Sequence, residues 1–149
     1  MTGRVLALDL GQRRIGIAIS DELGYSAQGL PTWERKNRRL DLEALDTIVR
    51  EKQVRLILVG NPLHLSGDQS AQSRRAAEFA SVIAKDLGVQ VKLWDERLTT
   101  REASRVLRES GMGIKKRGQA VDRLSAVLIL QSYLDYLASQ GEREAPVAP

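Results

Sequence analysis

The chain has 149 residues, of which 42% are hydrophobic and 28% charged, and a formal net charge of +4; this suits one soluble domain with its own core and permits a polyanionic partner without requiring one. It has no Cys and a single His, His64, which excludes disulfides, cysteine nucleophiles and thiolate or imidazole-rich metal sites; a metal centre here would use oxygen ligands, as Mg²⁺ or Mn²⁺ prefer. No apolar run is long enough to span a bilayer, and the first one contains Asp9 and is followed by Arg13 and Arg14, unlike a signal peptide, so a cytoplasmic protein without a membrane partner is expected.

Two short apolar runs open the chain, Val5 to Gly11 and Ile15 to Ser20, separated by Gly11-Gln12-Arg13-Arg14. They predict a hairpin whose first strand is buried on both faces. Tyr25 to Trp33 reads as a third strand, placed at an edge by Gly29 and Pro31. After a basic connection, a helix is expected from Asp41, with Leu42, Leu45, Ile48 and Val49 on one face. Val54 to Gly60 is a second buried strand, and Asn61-Pro62 with Ser66-Gly67-Asp68 marks a loop. A second helix runs from about Ser70 to Gly88, which stops it, and the strand Val89 to Trp94 leads into Asp95-Glu96. Thr99 and Glu102 form a capping-box pattern for a short helix carrying Ala103, Val106 and Leu107. The glycine-rich, basic stretch Gly111 to Gly118 predicts a loop, Ala120 to Ala138 a long last helix, and residues 140–149 a disordered tail. A single domain over 1–139 follows, of α/β class with a mixed sheet: an antiparallel hairpin first, then parallel strands added by helical crossovers.

Asp9 interrupts a buried strand, where a carboxylate is costly unless its charge is compensated. By itself it could equally be a strand-end carboxylate binding turn amides. Two other acids could join it. Glu96 lies just past the carboxyl end of a strand, where α/β sheets bind ligands, and Asp122 lies near the start of the last helix, beside Val121. Three converging carboxylates repel one another unless divalent cations sit between them. Two such ions about 4 Å apart form a clamp for in-line phosphodiester hydrolysis and need no His or Cys. Asp95 competes with Glu96, but their side chains leave a strand in opposite directions. Arg13, Arg14, Arg97, Arg101, Lys115, Lys116 and Arg117 surround these acids in sequence. They read as a phosphate-binding rim, or else as solvated surface charge. Trp33 and Trp94 suit core packing more than base stacking, and His64 sits in a loop.

The ordered set Leu8-Asp9-Leu10-Gly11, Arg14-Ile15-Gly16-Ile17-Ala18, Val59-Gly60-Asn61-Pro62-Leu63, Asp95-Glu96-Arg97-Leu98-Thr99-Thr100, Lys115-Lys116, Val121-Asp122 and Ala126-Val127-Leu128-Ile129-Leu130-Gln131 resembles the YqgF/RuvX family from Arg4 to Leu137. The resemblance implies an RNase H-like fold, a five-stranded mixed sheet with helices on both faces. It also implies that the family's acidic positions fall on Asp9, Glu96 and Asp122, with Mg²⁺ or Mn²⁺, two ions, as cofactor. The family is described both as Holliday junction resolvases and as nucleases maturing the 5′ end of pre-16S rRNA. Asn61 stands where the family usually has Leu, and Ser125 where Ala is common; neither touches an acid. The expected partner is nucleic acid: RNA, or branched DNA, which a two-fold homodimer would resolve by nicking symmetry-related strands. A non-catalytic binding or ribosome-assembly factor is opposed by the complete acid set. An actin-like ATP-using protein would need a second such domain and lacks support from any P-loop signature.

Overall fold

Period-two alternation builds the strands and end-capping residues fix the helices. The computed structural model describes residues 3–62, 70–95 and 114–144. Its elements are β1 (Arg4–Leu10), β2 (Arg14–Ser20), β3 (Ala27–Glu34), α1 (Arg38–Lys52), β4 (Val54–Asn61), α2 (Ala71–Leu87), β5 (Gln90–Asp95) and α3 (Ile114–Glu144). The strands form one five-stranded sheet in the order β3-β2-β1-β4-β5. β1–β2 and β2–β3 pair antiparallel, while β1–β4 and β4–β5 pair parallel. This is the expected mixed sheet, with β3 at an edge as Gly29 and Pro31 suggested.

Alternation divides the core in two. Leu6, Leu8, Ile15, Ile17, Ile57 and Val59 face α1 and α2, meeting Leu45, Phe79 and Ile83. Val5, Ala7, Ala18, Leu56 and Leu58 face α3, meeting Ala126, Ile129, Leu130, Tyr133 and Leu134. Most of these side chains are fully buried, and each large one contributes about 1.5–3 kcal/mol relative to exposure.

The helix ends differ from expectation in three places. α1 starts at Arg38, because Asn37 caps it by accepting a hydrogen bond from the Leu40 amide at 2.9 Å. α3 begins at Ile114, so Lys115 to Gly118 are helical and not loop; apart from Gly118 the stretch consists of residues a helix tolerates well. α3 also continues to Glu144, into the expected tail. Ser70 does cap α2, and Gly88 ends it with a left-handed φ of 65°. The short helix expected after Thr99, and His64, lie outside the described residues.

α3 lies close to the sheet because small residues floor it. A Cβ built on Gly16 of β2 would overlap the Asp122 carbonyl group and lie 3.3 Å from the Asp122 Cα. One on Gly29 of β3 would come within 2.6 Å of the Arg123 side chain.

On the other face, Asp41 in the first turn of α1 is only 1% exposed. Its Oδ1 accepts hydrogen bonds from Trp33 Nε1 at 2.8 Å and from the Lys36 amide at 3.0 Å; Arg35 Nε donates to Oδ2 at 3.3 Å. Arg35 also donates to the Gly11 carbonyl at 3.0 Å, tying α1 to the β1–β2 turn. Burial pushes the Asp41 carboxyl up, but the hydrogen bonds from Trp33, Lys36 and Arg35, with the Arg35 charge, outweigh it and hold the carboxyl below its ordinary value. A carboxyl depressed in the folded state stabilises the protein above its unfolded-state pKa. That contribution is lost as the pH falls from about 3.8 through the lower folded-state value.

Gly16→Ala is expected to cost about 1–3 kcal/mol as overpacking, read as a lower urea midpoint. Gly88→Ala has open space around it, and only its positive φ opposes the change, at about 1 kcal/mol. An unchanged midpoint for Gly16→Ala would mean that α3 does not press on β2. Asp41→Asn should lower stability by about 2–3 kcal/mol at neutral pH, and the gap from wild type should narrow near pH 3. Urea titrations at both pH values check this; a gap that stays constant would show that Asp41 is not held as a charged acceptor.

Candidate functional site

Asp9 follows Val5 and Ala7 on the face of β1 that lies under α3. The tight turn after β1 fixes what stands beside it. The Gly11 amide donates to the Arg14 carbonyl at 2.9 Å, which sets Leu10 opposite Ile15 and hence Asp9 directly opposite Gly16. On the other side, one step beyond the Leu8–Val59 pair, Asp9 comes level with Gly60, which pairs with Trp94. Asp9 thus has a glycine on each neighbouring strand. On the β2 side the missing side chain is replaced by the Asp122 backbone. On the β4 side the next residue of the row is Trp94, roughly 10 Å from Asp9 at two strand spacings.

The close approach at Gly16 therefore sets Asp122 beside Asp9 on one face of the sheet. The Asp122 carboxylate is not left uncompensated. Arg14 lies on the same face of β2 as Gly16, two residues before it, and its Nε donates to Asp122 Oδ2 at 2.8 Å. The two side chains are 32% and 23% exposed, so the pair sits at the rim of the site. Asp9 and Asp122 offer the hard oxygen donors that a divalent cation takes, and the Arg14 guanidinium already supplies Asp122 with a positive neighbour. Among the described residues no group of three or more His, Cys, Asp or Glu side chains could hold a metal ion. A three-acid set needs Glu96, which lies outside the described residues.

Asp95 pairs with Asn61, which shares the α1/α2 face with Ile57 and Val59. It therefore faces away from Asp9, whereas its neighbour Trp94 is on the Asp9 face. Trp94 is partly buried against Tyr133, with ring centroids 5.2 Å apart in an edge-to-face contact, and its Nε1 donates to Ser132 at 3.3 Å. Trp33 packs on the opposite core and serves Asp41. Both tryptophans are packing residues first, as their sequence context suggested.

Of the basic residues named from sequence, Arg13 is exposed in the turn, its carbonyl accepting from the Arg35 amide at 2.8 Å. Arg14 is bound to Asp122. For Lys115, Lys116 and Arg117 only the helical backbone at the start of α3 is described, and Arg97 and Arg101 lie outside the described residues. Sequence reasoning missed the part played by Gly16. The signal was present in the hairpin: once the turn is placed, the register puts Gly16 opposite Asp9. It also missed Arg35, whose bonds to Asp41 and Gly11 join residues far apart in the chain.

The family model described as RuvX, Holliday junction resolvase, matches residues 3–136. A relative from Koribacter versatilis, provisionally named a pre-16S rRNA nuclease, is 55% identical over 146 residues, covering 98% of this chain and 94% of its own. One from Syntrophus aciditrophicus with the same name is 45% identical, covering 92% and 91%. Among solved structures, the Fowlpox virus resolvase in complex with Holliday junction DNA aligns with a TM-score of 0.57 at 12% identity, over 92% of this chain and 99% of that one. RuvC of Thermus thermophilus with a Holliday junction substrate aligns with a TM-score of 0.55 at 13% identity, over 91% and 96%. These two likenesses establish the RNase H-like fold. The match over most of its length and the identity to full-length relatives place the chain in the RuvX family, a family of nucleases.

Proposed function

We propose that this nuclease cleaves RNA, in the 5′-end processing of pre-16S rRNA, with divalent cations held by Asp9, Glu96 and Asp122. The observation that carries the reading is that Asp9 pairs with Gly16 and the Asp122 main chain lies against that same glycine, on one face of the sheet. Two carboxylates in such a place repel each other, and a cation between them removes the repulsion. The third acid is taken from the family resemblance, and Asp95 does not compete for the place, because it faces the other layer. Mg²⁺ or Mn²⁺, two ions, would polarise the scissile phosphate and lower the pKa of the attacking water. The chain's own part is positional. β1 and α3 present their carboxylates from regular secondary structure, and Gly60 stands beside Asp9 on β4. Arg13, Arg97, Arg101, Lys115, Lys116 and Arg117 form the rim that holds the flanking phosphates.

RNA is favoured because the similar full-length relatives carry the pre-16S rRNA name. That substrate places the enzyme in the cytoplasm; among the described residues no helix is long and apolar enough to cross a membrane. The description of the matched family model favours a second reading, resolution of four-way DNA, in which a homodimer nicks two symmetry-related strands.

The deciding assay offers single-stranded RNA with the precursor 5′ region, matched single-stranded DNA and a synthetic four-way junction, in Mg²⁺ and in Mn²⁺. RNA cleavage by wild type, reduced at least about 100-fold in Asp9→Asn and in Asp122→Asn with the fold retained, is the expected result. Paired symmetric nicks in the junction with RNA intact would establish the resolvase. Full activity in either variant would remove that residue from the centre. Replacing Lys115 and Lys116 together by Ala should weaken RNA binding and lower the salt slope by roughly 1–2. An unchanged slope would make them surface charge.

A further inference from the structure

We propose that Arg14 is an internal counter-ion of Asp122 that the incoming divalent cation displaces, and that the released guanidinium then takes a substrate phosphate. The inference rests on the metal reading of Asp122 given above. Its starting point is the ion pair itself: Arg14 Nε and Asp122 Oδ2 are 2.8 Å apart. The acid next to Asp9 is thus neutralised by the protein's own charge, which lowers the cost of keeping two carboxylates close before a cation arrives.

Three features make the pair exchangeable. First, both side chains are partly exposed, at 32% and 23%, and ion pairs of this kind are weak. Second, only the ends of the two residues need to part. Arg14 is fixed at its backbone by the Gly11 amide and by pairing with Glu34, and Asp122 by the contact of its main chain with Gly16. The long Arg side chain can swing while the carboxylate stays in place. Third, the charges decide the direction. Three carboxylates carry three negative charges and two divalent ions four positive ones, so a guanidinium left beside them is repelled. A phosphate arriving at those ions is the nearest anion, and the planar fork of Arg suits it. Arg14 lies on the Asp9 face of β2, within the same rim.

The experiment titrates the full-length protein with Mn²⁺ alone, by calorimetry, for wild type, Arg14→Ala, Arg14→Lys and Asp122→Asn. Arg14→Ala should bind Mn²⁺ roughly three- to ten-fold more tightly than wild type, because a competing positive charge has gone. Arg14→Lys, which keeps the charge, should stay near the wild-type affinity. Equal or weaker Mn²⁺ binding by Arg14→Ala would overturn the proposal; weaker binding would show that Arg14 merely orients the carboxylate. Failure of the metal reading looks different: wild type and Asp122→Asn would then bind Mn²⁺ alike, or wild type would not bind it at all. A second measurement follows the anisotropy of a labelled single-stranded RNA, with Ca²⁺ and without metal. Arg14→Ala should lose affinity only with Ca²⁺ present. The same loss without metal would mean that Arg14 is never tied up by Asp122, and the release step would fall.

Discussion

Much of the site depends on how closely the backbone of α3 can lie on β2. Gly16 is the point of contact: the Asp122 carbonyl group occupies the space a Cβ would need. A helix resting on ordinary side chains stands about one side chain above a sheet. Here the N-terminal half of the helix touches main chain, at Gly16, and the residue at that contact is an acid. The side chains at this interface are small near that end, with Ala7, Ala18 and Ala126. They are larger further along α3, with Ile129, Leu130 and Tyr133. The same packing that closes the core thus presents Asp122 beside Asp9.

The turn between β1 and β2 is held from both faces of the sheet. On the α1 side, Arg35 bonds the Gly11 carbonyl and is itself held by the buried Asp41. On the α3 side, Arg14 reaches Asp122. The two ion pairs differ in burial, and that difference suits different work. The Asp41 side chain is 2% exposed and carries bonds from Trp33 and Lys36 as well, so losing any partner leaves a buried charge. It acts as a permanent clamp. The Arg14–Asp122 pair is only partly buried, with the acid at 23% exposure against 2% for Asp41, so parting it costs less than parting Asp41 from its partners. The proposed exchange of Arg14 for a cation needs both: a turn that stays fixed and a charge pair that can part.

How much of this could be read from the residues alone varied with the kind of signal. The sheet and its two covered faces were legible because alternation and apolar runs report burial directly. Asp9 was legible because a carboxylate inside such a run contradicts its surroundings. Asp122 was weaker: one acid among several on a helix stands out only when the face it shares is known. Gly16 carried no visible signal of its own, since a glycine is informative only through what lies against it. Asp41 looked like an ordinary acid at a helix start, favourable to the dipole. Its burial depends on Trp33 and Arg35, which approach from another strand end. The start of α3 was missed because Gly111, Gly113 and Gly118 suggested a loop, while tolerating Gly118 costs the helix only about 1 kcal/mol.

In the proposed reading, the acids and the cations they would hold recognise a phosphodiester, and RNA and DNA present the same one. Choice of substrate therefore has to come from groups that meet the sugar and the path of the strands, outside the carboxylate centre. The row Trp94, Gly60, Asp9 and Gly16 shows where such groups can act. On the β2 side Asp122 and Arg14 stand beside Asp9; on the β4 side the row runs through Gly60 to Trp94. In the proposed reading, a strand crossing this row from the β5 side passes Trp94 before it reaches Asp9. Such an entry suits a flexible single strand, which can bend into a narrow approach. A four-way junction is stiffer and demands a second centre at a fixed distance. In the proposed reading, cleavage of a single strand asks for one such centre, and paired cleavage of a junction for two copies held in register.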